Sequence, residues 1–198
     1  VPDDRAKLER RWGQKARDPS IRHLLTDAKG MQHPYALVPR LSRFLRGGKT
    51  ATTTVVELLR NFPQLFENPA AVIGRYKAEA FFSRETPELD WAIVACEALP
   101  ESRNRSYLEQ KSIVTQYAQK YQANSRRIRR RSLVEALYDL VVISVITKES
   151  ILSSTVDLTE SKVGRLNFAC INFGERGLRI NDVDRQTRHP QMGVCPSW

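Results

Sequence analysis

The sequence predicts a mainly α protein: a multi-helix bundle with a C-terminal winged-helix-like part that contains one β-hairpin. Three features carry that expectation. Between residues 33 and 100, prolines recur where a first helical turn would begin, each followed by apolar residues at helical spacing. Ser132-Leu133-Val134-Glu135 has the pattern of a capping box and opens onto the most apolar run of the chain. Two alternating runs flank the glycines at 174 and 177, which is a hairpin signal.

The elements follow in order. Residues 1–31 read as a basic N-terminal arm or one or two polar helices, with Leu8 and Trp12 four apart as a small apolar patch. Residues 32–99 read as a helical bundle part. Its first helix follows Pro34, carries Leu37, Val38, Leu41, Phe44 and Leu45, and ends at Gly47-Gly48. Val55, Leu58, Leu59 and Phe62 continue the helical spacing, followed by Leu65 and Phe66 across Pro63. Asn68-Pro69 and Thr86-Pro87 start two more helices, the second carrying Leu89, Trp91, Ile93, Val94 and Cys96 and stopping at Pro100. Residues 100–105 form a polar linker and a candidate boundary.

Residues 106–184 are expected to hold a basic helix and then the winged-helix-like part. At 100° per residue, Tyr107, Val114, Tyr117, Ala118, Tyr121 and Ile128 fall in one wedge, and Arg126, Arg127, Arg129, Arg130 and Arg131 fall outside it, in water. An unbroken helix would place Arg126 and Arg130 on the face of Leu133, Leu137 and Val141, so the helix is broken at Ser132. The run from Leu133 to Ile146 is then the central buried helix. A short helix at 149–154, a cap-like start at Asp157-Leu158-Thr159-Glu160 and a hairpin over 166–183 complete the winged-helix order. Residues 185–198 read as a loose C-terminal tail.

The net charge of +10 comes from 32 Lys/Arg and 22 Asp/Glu, and it is unevenly placed. Residues 1–50 hold 12 cations against 5 anions and residues 100–131 hold 9 against 2, while the segments between and after them are slightly acidic. Such blocks attract polyanions. The function expected from this is non-catalytic nucleic-acid binding, to RNA or DNA, through phosphates. Arg126, Arg127, Arg129, Arg130 and Arg131 are the main candidate contacts. Arg40, Arg43, Arg46 and Lys49 form a second patch, and Arg176 and Arg179 at the hairpin turn act as contacts from the wing. The competing expectation is an assembly or adaptor subunit whose apolar helices pack on a protein partner in a larger ribonucleoprotein, viral or effector complex, or on a second copy.

Other patterns in the chain also have simpler roles. Gly47-Gly48-Lys49-Thr50 resembles the end of a phosphate loop, but Arg43 stands where that pattern needs a glycine. Cys170, His189 and Cys195 lack the paired spacing of a zinc site. Asp182 with Asp184, and Glu160 with Lys162, lack a third ligand. Tyr107, Tyr117 and Tyr121 could stack on bases, although an aromatic stripe at helical spacing is more often core. His23 and His33 have no acidic or cysteine partner in sequence. The expectation is therefore no enzyme, no cofactor and no metal. Three cysteines suit an intracellular reducing compartment, and no stretch is apolar enough for a transmembrane segment.

Overall fold

A computed structural model describes residues 2–15, 17, 35–121 and 128–198. Of these residues 39% are helical and 29% lie in strands, so the protein is mixed α/β and the mainly helical expectation is corrected. The chain begins with α1 (Pro2–Lys15), β1 (Tyr35–Arg40), β2 (Arg43–Arg46), β3 (Lys49–Thr52) and α2 (Val55–Asn61). Next come α3 (Pro69–Tyr76), α4 (Ala80–Ser83), β4 (Asp90–Ala95), α5 (Tyr107–Lys120), β5 (Arg129–Arg130) and α6 (Leu133–Thr147). Strands β6 (Val156–Val163), β7 (Asn167–Gly174), β8 (Gly177–Asp184), β9 (Met192–Gly193) and β10 (Pro196–Ser197) close it.

Two of the expected helices are strands. The segment after Pro34 is β1 followed by the β2–β3 hairpin, where Gly47 and Gly48 take φ of 56° and 77°. Two consecutive positive φ values make a tight hairpin turn, so these glycines turn a hairpin and do not end a helix. The segment after Thr86-Pro87 is β4, antiparallel to β1 from Tyr35↔Ala95 to Arg40↔Asp90. Its continuous apolar run is covered on both faces, a pattern that periodicity cannot separate from a buried helix.

One sheet has the order β1-β4-β10-β5 and another the order β8-β7-β6-β9, with β9 parallel to β6. The runs expected to form a hairpin are β7 and β8. The cap-like start at Asp157 is instead β6, so a three-stranded antiparallel meander stands where a winged helix was expected. The expected loose tail supplies β9 and β10, and Met192 through Trp198 are all buried. Strand β10 lies between β4 and β5, hydrogen-bonded to both, with Trp198 and Ile93 exchanging backbone bonds.

Helix α6 lies at the centre and packs on β1, β6, β7 and α2. Its capping box is formed: Ser132 Oγ accepts from the Glu135 N–H at 3.3 Å, and the Glu135 carboxylate accepts from the Ser132 N–H at 3.0 Å. Leu133, Leu137 and Leu140 are fully buried in the main core with Leu58, Leu59, Tyr76 and Ile171. Among the described residues no helix is long and apolar enough to cross a membrane.

Candidate functional site

The arginines expected to face water are largely drawn inward by carboxylates from other elements. Helix α6 presents Glu135 and Asp139 one turn apart, and β6 presents Asp157; all three are buried. Arg40, pointing inward from the end of β1, donates to both oxygens of Asp139 at 3.0 and 2.7 Å and to Glu135 at 3.0 Å. Arg131 donates to Asp139 at 3.1 Å and to Asp157 at 2.8 Å. Arg129 donates to Glu135 at 2.8 Å, and the second Asp157 oxygen accepts from the Cys195 N–H at 2.9 Å. Three guanidiniums thus alternate with three carboxylates. The charge that burial would make costly is matched group by group.

The electrostatics follow from that geometry. Burial alone would raise the Glu135 carboxyl, but the hydrogen bonds from Arg129 and the charges of Arg40 and Arg129 hold it down at about 2. Arg131 is fully buried, yet Asp157 and Asp139 overcome the cost and raise its pKa. Arg130 differs: burial pushes its pKa down. It donates to Gln110 at 3.0 Å and to the Leu158 carbonyl, and its guanidinium lies 4.4 Å over the Tyr107 ring. Tyr107 stacks in turn on Phe168 at 3.7 Å.

The expectation that these arginines face water is therefore corrected for Arg40, Arg130 and Arg131, which are buried, and narrowed for Arg129, which is half-buried and paired. Arg126 and Arg127 lie outside the described residues. Arg43 and Lys49 are exposed on the β2–β3 hairpin; Arg46 pairs with Lys49 through the backbone register. Arg176 and Arg179 sit together at the β7–β8 turn, both on Glu67. The tyrosine stripe is core: Tyr117 and Tyr121 are buried edge-on to Trp198.

The minor candidates separate. Cys170 and Cys195 are buried while His189 is exposed, and burial pushes the Cys170 thiol up to about 12. No group of three or more potential metal ligands occurs among the described residues. Asp182 accepts from Tyr76 at 2.8 Å and Asn167 at 2.6 Å and pairs with Arg75, whereas Asp184 caps Gln186. Glu160 and Lys162 share a cleft of about 470 Å³ with Glu79, Glu85, Tyr107 and Ser132. Burial raises the Glu160 carboxyl against the nearby charge of Arg129. His23 and His33 lie outside the described residues.

One surface escaped the sequence reading. Leu45 from β2, Phe62 and Leu65 after α2, and Val145 from the end of α6 line a groove of about 520 Å³ rimmed by Lys148. Leu45 is 63% exposed and Ile146, beside Val145, is 72% exposed. Each falls on the apolar face of an expected helix, so the sequence reads each as core. Nothing in the sequence marked them as surface.

Comparison with known proteins returns no match: no family model, no curated protein and no solved structure is similar to the chain.

Proposed function

We propose that this protein is a non-catalytic assembly or adaptor subunit that holds a protein partner against the groove between the β2–β3 hairpin and the end of α6. The observation that supports it is the gathering of Leu45 and Val145, both exposed, beside Phe62 and Leu65 on one open surface. Scattered exposed leucines need no explanation, but contiguous apolar surface marks interaction sites. Fully covering a Leu or Ile side chain contributes about 1.5–3 kcal/mol, so a few such residues can anchor an interface. The three free cysteines are all buried, in keeping with an intracellular reducing compartment.

The test compares the parent chain with a Leu45→Lys, Val145→Lys variant. Both side chains are exposed, so the fold should survive. Sedimentation velocity and affinity purification from the native cells should show the parent in a larger particle and the variant losing the same partner. Identical particles and identical co-purifying proteins from both chains would refute the reading.

Phosphate-dominated binding of RNA or DNA is the second reading, supported by the charge balance. Arg40, Arg129 and Arg131 are neutralised by Glu135, Asp139 and Asp157, and buried Arg130 is held by Gln110 and the Leu158 carbonyl, so these four arginines leave one net charge and most of the +10 lies elsewhere. Arg43, Lys49, Arg176 and Arg179 are the contacts this reading retains among the described residues. Fluorescence anisotropy with labelled RNA and DNA across a salt series checks it. A steep salt slope that flattens when these four are replaced by glutamine supports it, and a slope unmoved by that replacement removes it.

A further inference from the structure

The Gly47-Gly48-Lys49-Thr50 segment does not form a nucleotide-binding loop, but its placement has a consequence of its own. The glycines turn the hairpin, and Lys49, Thr50 and Thr52 on β3 form one side of a cleft of about 570 Å³. Its other sides come from α2 and from the end of α4, where Ser83 and Arg84 lie. Lys49 and Arg84 are both exposed, and neither has an ion pair among the described residues. The hydroxyls of Thr50, Thr52 and Ser83 likewise have no hydrogen-bond partner among them. Thr53, between two lining residues, has a fully buried hydroxyl with no partner. Glu57 is the one carboxylate in the lining, and it is occupied by Arg60 at 2.9 Å and by the Asn61 amide. The recess therefore offers two uncompensated cations and several donor hydroxyls at one spot.

We infer that this cleft, between β3, α2 and the end of α4, binds the phosphate group of a small phosphate monoester. Two cations match the near-double negative charge of a monoester at neutral pH. Charge-assisted bonds to phosphate oxygens from Lys and Arg, supplemented by hydroxyl donors, are the usual chemistry of such recognition. A polynucleotide backbone is a poorer fit, because it is held by many charges along a track rather than by two in a recess. The volume is within the range of small-molecule pockets and leaves room for the organic part of the ligand. The inference does not depend on the assembly reading, since the cleft and the apolar groove are lined by different residues.

The test is calorimetric titration of the full chain with ribose 5-phosphate, with ribose, and with ribose 5-phosphate in the presence of a short oligodeoxythymidylate. The parent is expected to bind ribose 5-phosphate saturably, with Kd on the order of 1 mM or tighter, and ribose not at all. A Lys49→Gln, Arg84→Gln variant should weaken binding by roughly tenfold or more, while Arg165→Gln, an exposed cation outside the cleft, should leave it unchanged. Circular dichroism confirms that both variants remain folded. No saturation, equal binding of ribose, or a double variant that binds like the parent overturns the inference. Displacement of ribose 5-phosphate by oligodeoxythymidylate that itself binds more tightly through Lys49 and Arg84 overturns the monoester assignment in favour of a polynucleotide backbone.

Discussion

Residues 126–131 and the 43–49 hairpin are both rich in basic residues, and in sequence they look alike. In the folded protein their described members behave oppositely. Arg130 and Arg131 are buried, Arg129 is half-buried, and Arg129 and Arg131 pair with carboxylates from α6 and β6, whereas Arg43 and Lys49 are exposed without an ion pair among the described residues. The difference lies in partners brought from far along the chain: Arg40 meets Asp139 across 99 residues and Arg131 meets Asp157 across 26. A basic run therefore tells how much positive charge is present. Whether that charge reaches solvent depends on carboxylates that another element carries to it.

The sharpest test of this contrast is to remove the carboxylate at the network's centre. Asp139 is fully buried and accepts from both Arg40 and Arg131. In Asp139→Ala two guanidiniums lose their shared partner, and stranding a buried charge costs about 3–5 kcal/mol. Urea denaturation should show a loss of that size, or no cooperative folding at all. A loss under about 1 kcal/mol, the scale of a surface pair, would place the network at the surface and erase the distinction between the two regions.

Acid should act on the same network next most strongly. Glu135 has its folded pKa depressed to about 2, against an ordinary value of 4.5. A depressed carboxyl contributes stability above its ordinary pKa and loses it as pH falls through the folded value. That difference corresponds to about 3 kcal/mol, present above pH 4.5 and lost between there and about pH 2. The slope of unfolding free energy against pH in this window should flatten in Glu135→Gln. An unchanged slope would assign the acid sensitivity to other groups.

What the sequence made legible was local. The Ser132–Glu135 capping box, the Asn68 cap of α3 and the alternation of β7 and β8 are each written in a few neighbouring residues, and each is present. The misreadings were decided by distant partners. Tyr35 through Arg40 and Asp90 through Ala95 have helical spacing of a kind, and they are strands because they pair with each other, with β4 covered on both faces while β1 at the sheet edge leaves Leu37 exposed. Val194, Cys195 and Trp198 looked like a tail because two-residue strands leave no periodicity, although β10 completes the first sheet. At the candidate sites the logic was the same. Arginine identity was readable, the carboxylates facing it were not, and Leu45 and Ile146 carried the same apolar signal as the core residues beside them.

The smallest expected effect completes the contrast. Arg43 and Lys49 lie on a two-stranded hairpin whose register, from Arg43↔Thr52 to Arg46↔Lys49, is held by backbone bonds and the Gly47-Gly48 turn. Neither side chain lends its charge to the interior, so replacing both with glutamine leaves no buried group without a partner. Exposed substitutions of this kind usually change stability by less than about 0.5 kcal/mol, which for a chain of this size keeps the thermal midpoint within about 2 °C. Calorimetry of Arg43→Gln, Lys49→Gln beside Asp139→Ala therefore separates positive charge that builds the fold from positive charge that the fold leaves available to a ligand. A drop in the hairpin variant as large as that in Asp139→Ala would mean the hairpin cations are structural too; the phosphate site would lose one of its two cations, Lys49, and the retained nucleic-acid contacts would lose both Arg43 and Lys49.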